Sequence, residues 1–207
     1  EVNAGLDRLR GNDYRREYRK KLQHLNLTQD YNVTLSKGGG KNDLFFSARY
    51  QELGQYNRYD EARNISLYLK NTLSVASWMK LTLGMDTRFN RSEFCQASGM
   101  GYTSAMPYDR LYDDDGQPVN RYIYNQVLAE QLATQDGYYD MGFNAAEESK
   151  HNIKKTDRQY LKLFLHTDFN ITKDLDLELK FQYERNHAET NEYDEENSYM
   201  MRSILNE

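Results

Sequence analysis

The chain is short of several things that most folded classes need. Cys95 is the sole cysteine among 207 residues, which removes any disulfide framework or thiolate zinc site and leaves a spectator thiol. Two prolines and 12 glycines exclude collagenous or proline-rich linker character. No stretch approaches the roughly 20 consecutive apolar residues of a membrane-crossing helix, and the mean hydropathy is −0.97. Basic charge is scarce as well: 27 Lys and Arg stand against 32 Asp and Glu, a net charge of −5. Nucleic acid is therefore not an expected partner, since phosphate recognition needs a basic field. The densest basic run, Arg15 to Lys21, has Glu17 within it. Aromatic residues are plentiful at 13%, with 18 tyrosines against one tryptophan, and disordered chains are poor in aromatics.

Periodicity organises what remains. Residues 25–36 place Leu25, Leu27, Tyr31, Val33 and Leu35 on one side and Asn26, Thr28, Asp30, Asn32, Thr34 and Ser36 on the other, a strand with one wet face. The same alternation recurs over 44–51, 63–74, 79–90, 161–171 and 175–184. Strands of about ten residues exceed the usual globular length of about five or six and match a tilted strand that crosses a bilayer.

The connections alternate in length. Residues 37–43, 75–78 and 172–174 are short, whereas 52–62, the long loop 91–160 and the tail from Arg185 are not. Short turns at one end of a sheet and long loops at the other form the outer-membrane pattern of periplasmic turns and extracellular loops. About six strands are too few to close a barrel around charged side chains. The expected fold is thus all-β: an antiparallel meander of about six long amphipathic strands, an arc of a large transmembrane β-barrel. The whole of 1–207 reads as a partial barrel region cut from a longer chain, without signal peptide or plug domain.

Catalytic patterns are absent. His24, His151, His166 and His187 are scattered without metalloprotease spacing, and Gly38-Gly39-Gly40 lies in a hairpin turn, not at a phosphate-binding strand-to-helix junction. Asp176, Glu178 and Glu184 share a strand face, as a glycosidase pair would, but Lys162 and Lys180 lie among them and favour a solvated wall. Asp113-Asp114-Asp115-Gly116 lacks the twelve-residue spacing and distal glutamate of a calcium loop and reads as an acidic turn. The expectation is no enzyme, no cofactor and no metal. Residues 122–134 suggest a short packing helix. The contact candidates in the long loop are Tyr102, Tyr108, Tyr112, Tyr138 and Tyr139, since a tyrosine can stack on a sugar ring or peptide side chain while donating a hydrogen bond.

Several phrases resemble the SusC/RagA-type TonB-dependent outer-membrane transporters of Bacteroidetes. Gln29-Asp-Tyr-Asn-Val-Thr-Leu-Ser-Lys-Gly-Gly followed by Leu44-Phe-Phe-Ser-Ala-Arg-Tyr-Gln looks like that family's early barrel hairpin, and Asn12-Asp-Tyr-Arg-Arg-Glu-Tyr is similar to the stretch before it. Pro107-Tyr-Asp-Arg-Leu-Tyr-Asp-Asp-Asp-Gly-Gln-Pro-Val resembles a recurrent loop phrase, and Asn197-Ser-Tyr-Met-Met-Arg-Ser-Ile-Leu-Asn a later segment. The resemblance implies a barrel of about 22 strands plugged by an N-terminal domain, driven by TonB and paired with a SusD-like surface lipoprotein that captures glycans or peptides. The chain is then an outer-membrane wall segment whose loops meet substrate or partner. The alternative is a self-contained soluble β-sheet module that binds carbohydrate or peptide and closes its own apolar core.

Overall fold

A computed structural model describes residues 9–96, 105–123, 125–135 and 137–207. The strands are β1 (Gln29–Lys37), β2 (Asn42–Leu53), β3 (Glu61–Ala76), β4 (Met79–Cys95), β5 (Asn152–Thr172) and β6 (Leu175–Asp194). They form one antiparallel sheet of six strands in chain order, as the alternation requires. Four helices accompany the sheet among the described residues: α1 (Tyr14–Leu22), α2 (Gln126–Ala133), α3 (Ala145–His151) and α4 (Tyr199–Leu205). None of them is long and apolar enough to cross a membrane.

The register joins the apolar residues of neighbouring strands into one band. Val33 faces Ala48 and Leu35 faces Phe46; Phe46 then faces Leu69, Leu69 faces Met85, Met85 faces Leu163, and Leu163 faces Tyr183. Among the described residues no second layer covers this band at its edges: Val33 is 67% exposed and Phe181 is 64% exposed. A soluble sheet buries its apolar face against another layer, and among the described residues none lies over these edge strands.

The strands extend well past the alternating segments. β5 begins at Asn152 and β6 runs on to Asp194, where Glu184 to Glu192 are polar on both sides apart from Ala188. Backbone pairing continues there without a break from Asn186 opposite Tyr160 to Asp194 opposite Asn152. With both faces wet, the period-2 signal vanishes although the strand does not. At the other end the β1–β2 turn uses Gly40 at φ 67, a left-handed conformation that an L side chain resists, and Asp43 Oδ1 accepts from Gly39 N at 3.2 Å.

The compact core lies outside the sheet, in a cap at the long-loop end. Tyr14, Tyr18 and Leu22 recur at helical spacing on one side of α1 and pack with Leu111, Phe143, Ala145 and Ala146. Asp13 caps α1 by accepting from Arg16 N at 3.0 Å. Glu17 uses both carboxylate oxygens on the backbone N–H groups of Leu111 (3.0 Å) and Tyr112 (3.2 Å), fastening the loop to the helix. The expected helix over 122–134 is shorter, Gln126–Ala133, because Asn125 caps it by accepting from Val127 N and Leu128 N.

Candidate functional site

Two regions could meet a ligand: the cap and the polar face of the sheet. The acidic turn in the cap behaves as its sequence suggests. Asp113 Oδ1 accepts from Asp115 N (3.0 Å) and Gln117 N (2.7 Å), and Gly116 takes a φ of 80. Its carboxylate thus serves the turn itself.

The contact tyrosines divide between two parts of the cap. Tyr108 is exposed, and its carbonyl accepts from Asn12 Nδ2 at 3.2 Å. Tyr112 is half-buried, with Lys21 Nζ 5.5 Å from its ring centroid, and burial is the main reason that its phenol titrates above the usual range. Both adjoin α1. Tyr138 is exposed, while Tyr139 is half-buried and pinned through its backbone, which donates to Asn206 Oδ1 at 2.8 Å and accepts from Asn206 Nδ2 at 2.9 Å. Tyr102 lies outside the described residues. Tyr108 and Tyr138 therefore present rings to solvent, whereas Tyr112 and Tyr139 are partly committed to packing.

A buried ionic knot holds the cap together. Glu148 is 2% exposed. Its Oε1 receives Arg202 Nη2 at 2.9 Å, and its Oε2 receives Tyr199 N at 2.8 Å and Asn152 Nδ2 at 3.2 Å. Arg202 also donates to the carbonyls of Asp140 and Gly142. One carboxylate thereby ties α3, the start of β5 and α4 together. Nothing in the periodic pattern marks it, although its acceptors are satisfied as a buried charge requires.

The polar face is knit from strand to strand. Arg49 pairs with Asp30, Asn64 Nδ2 donates to Gln51 Oε1 at 3.2 Å, and Asn90 Nδ2 donates to Asn64 Oδ1 at 2.5 Å. Further along, Arg88 pairs with Asp86 at 2.8 Å and lies 5.3 Å from the Tyr160 ring, while Tyr160 donates to Glu184 Oε1 at 3.3 Å. A shallow depression of about 520 Å³ opens along this wall, lined in part by Asn32, Arg49, Tyr68 and Arg88. Asp176, Glu178 and Glu184 do share this face, but Glu178 pairs with Lys180 at 2.8 Å and Glu184 lies 3.6 Å from Lys162. These pairs describe a solvated ionic wall. Near the short-turn end His166 meets Asp168 and Glu178. The spacing of histidines along the chain gave no hint of this group, whereas the β5–β6 hairpin register would have found it.

At the short-turn edge of the apolar band Trp78 stacks on Phe169, with ring centroids 6.2 Å apart. Aromatic rings at the margin of an apolar band suit a membrane–water boundary.

No family profile matches the sequence, and no curated protein matches it. A solved structure of the RagAB peptide transporter is similar to it, with a TM-score of 0.67 at 13% identity over 88% of this chain. At that identity the likeness shows the fold alone, and this chain spans 20% of the matched chain's length.

Proposed function

We propose that the chain is an arc of the β-barrel of an outer-membrane, TonB-dependent importer of the SusC/RagA type. The observation that carries this reading is the single-layered sheet, whose one face is a bare apolar band and whose other face is a continuous hydrogen-bonded polar wall. Lipid is the natural cover for the first and a water-filled or plugged lumen for the second. The resemblance to a peptide transporter supports the same assignment. In it the cap stands outside the cell, where Tyr108 and Tyr138 are free to contact an oligosaccharide or peptide, or a SusD-like lipoprotein seated above the barrel. TonB acts through the full-length protein. The reading includes no catalytic step.

Orientation supplies the test. In the full-length protein, Asp115→Cys in the cap should react with a membrane-impermeant thiol reagent on intact cells. Asp174→Cys in the β5–β6 turn should react only after the outer membrane is permeabilised. The opposite labelling pattern, or a protein that is monodisperse in water without detergent, would overturn the assignment. The second result would favour the self-contained soluble module.

A further inference from the structure

The polar wall carries a side-chain cluster that the transport reading does not use. His166 and Asp168 lie two residues apart on β5 and so point to the same face. The register sets Asp168 opposite Glu178 and His166 opposite Lys180 on β6. Three side chains of one hairpin consequently converge. His166 Nε2 lies 3.0 Å from Asp168 Oδ1 and 2.5 Å from Glu178 Oε1. Nε2 is shielded from solvent and faces a carboxylate oxygen of each neighbour. The three donor atoms all fall within 4.8 Å of one another.

We propose that His166, Asp168 and Glu178 bind one divalent first-row transition cation of the zinc type. Zinc takes imidazole nitrogen and carboxylate oxygen at about 2.0 to 2.2 Å, which sets ligand atoms of a tetrahedral site roughly 3.4 Å apart. The cluster brackets that separation, so small rotations of the two carboxylates complete three corners, and water fills the fourth. An imidazole ligand selects against magnesium and calcium, which prefer all-oxygen shells. An ion at this place also answers the electrostatics. It would lie between the two carboxylates, which the register sets opposite each other on β5 and β6. The competitor is Lys180, whose Nζ lies 2.8 Å from Glu178 Oε1. That side chain is 64% exposed and can swing into solvent. Lys80, opposite Asp168 on β4, is the other cation at this level of the wall. All three ligands come from β5 and β6, so the site is complete whatever lies beyond the chain's edges. It sits near the short turn, beside the register shift between Asn170 and Thr172, where a bound ion would brace the hairpin.

The test uses the full-length protein in detergent, stripped with a chelator and titrated calorimetrically with zinc chloride. Cobalt(II) serves as a spectroscopic probe of a tetrahedral nitrogen–oxygen shell. One zinc should bind per chain, with affinity lowered at least about tenfold in His166→Ala and in Glu178→Gln, and unaffected by excess calcium or magnesium. His151→Ala, which alters a histidine paired with Glu195 in the cap, should leave it unchanged. Lys180→Ala removes the competing ammonium without touching a ligand and should tighten binding several-fold, which keeps the proposal testable if the ligand variants fail to fold. Absence of zinc binding by the folded wild type, equal competition by calcium, or loss of binding in His151→Ala instead of His166→Ala would overturn it. Because membrane orientation is read separately by thiol labelling, a failure here leaves the barrel assignment standing.

Discussion

Phe164 lies directly over Gly84: a Cβ added at position 84 would fall 2.0 Å from Phe164 Cζ. The two residues face each other across β4 and β5 on the polar side of the sheet. Glycine ordinarily weakens a strand interior, but here it makes room for a ring. Gly84→Ala should cost about 1 to 3 kcal/mol through overpacking. The cost should shrink when Phe164→Ala is present, so that a double-mutant cycle in urea unfolding shows coupling. Additive losses would separate the two positions.

Phe181 offers a test of what covers the apolar band. It is 64% exposed on the sheet, so in water Phe181→Arg should change stability by less than about 0.5 kcal/mol. Facing lipid, the same change should cost about 2 to 4 kcal/mol near mid-bilayer. Gln182→Arg, on the polar face beside Glu184, should be close to neutral in either setting. The comparison is read from denaturant unfolding of the full-length protein in lipid bilayers.

The ionic knot in the cap predicts a sharp asymmetry. Arg202→Ala leaves the buried Glu148 carboxylate without its guanidinium partner, and breaking such a pair costs about 3 to 5 kcal/mol. The damage should be local: amide exchange should accelerate across α3 and α4 and remain slow in β3 and β4. Arg110→Ala, which removes a surface pair with Asp114, should cost no more than about 1 kcal/mol.

Alkali should loosen the cap through Tyr14. Burial is the main cause that pushes its phenol from 10.0 up to about 12, with Arg121 partly offsetting it. A folded-state pKa above the unfolded value means that the folded cap favours the protonated phenol. Its contribution is therefore fully present below pH 10 and is lost as pH rises from there towards 12. Tyr14→Phe should flatten that part of the cap's stability curve, as followed by amide exchange or proteolysis of residues 9–24.

The six strands and their order were legible because each has one apolar face, and period 2 is a direct record of that. Their lengths were not. From Arg185 onward β6 is wet on both sides, so Asn186, His187 and Glu189 read as loop although backbone hydrogen bonds hold them in the sheet. The cap was harder still. Its helices are short, and its organising residues, Glu17, Asn144 and Glu148, act by accepting from or donating to backbone groups distant in sequence. The tyrosines were recognisable as a class, but which of them face solvent depends on packing: Tyr108 does, and Tyr112 is drawn against α1. The His166 cluster becomes visible only once the hairpin register is known.

The unbroken pairing of β5 with β6 past the apolar band has a consequence for access. In the proposed barrel, the strand from Tyr183 to Asp194, rising at about 3.3 Å per residue and tilted by about 45°, would carry its end roughly 25 Å beyond the hydrocarbon. The rim of such a barrel would stand like the collar of a well above the cell surface. A solute arriving from outside would meet the cap first and then a polar shaft, and would be oriented by fixed side chains before reaching the depth of the membrane.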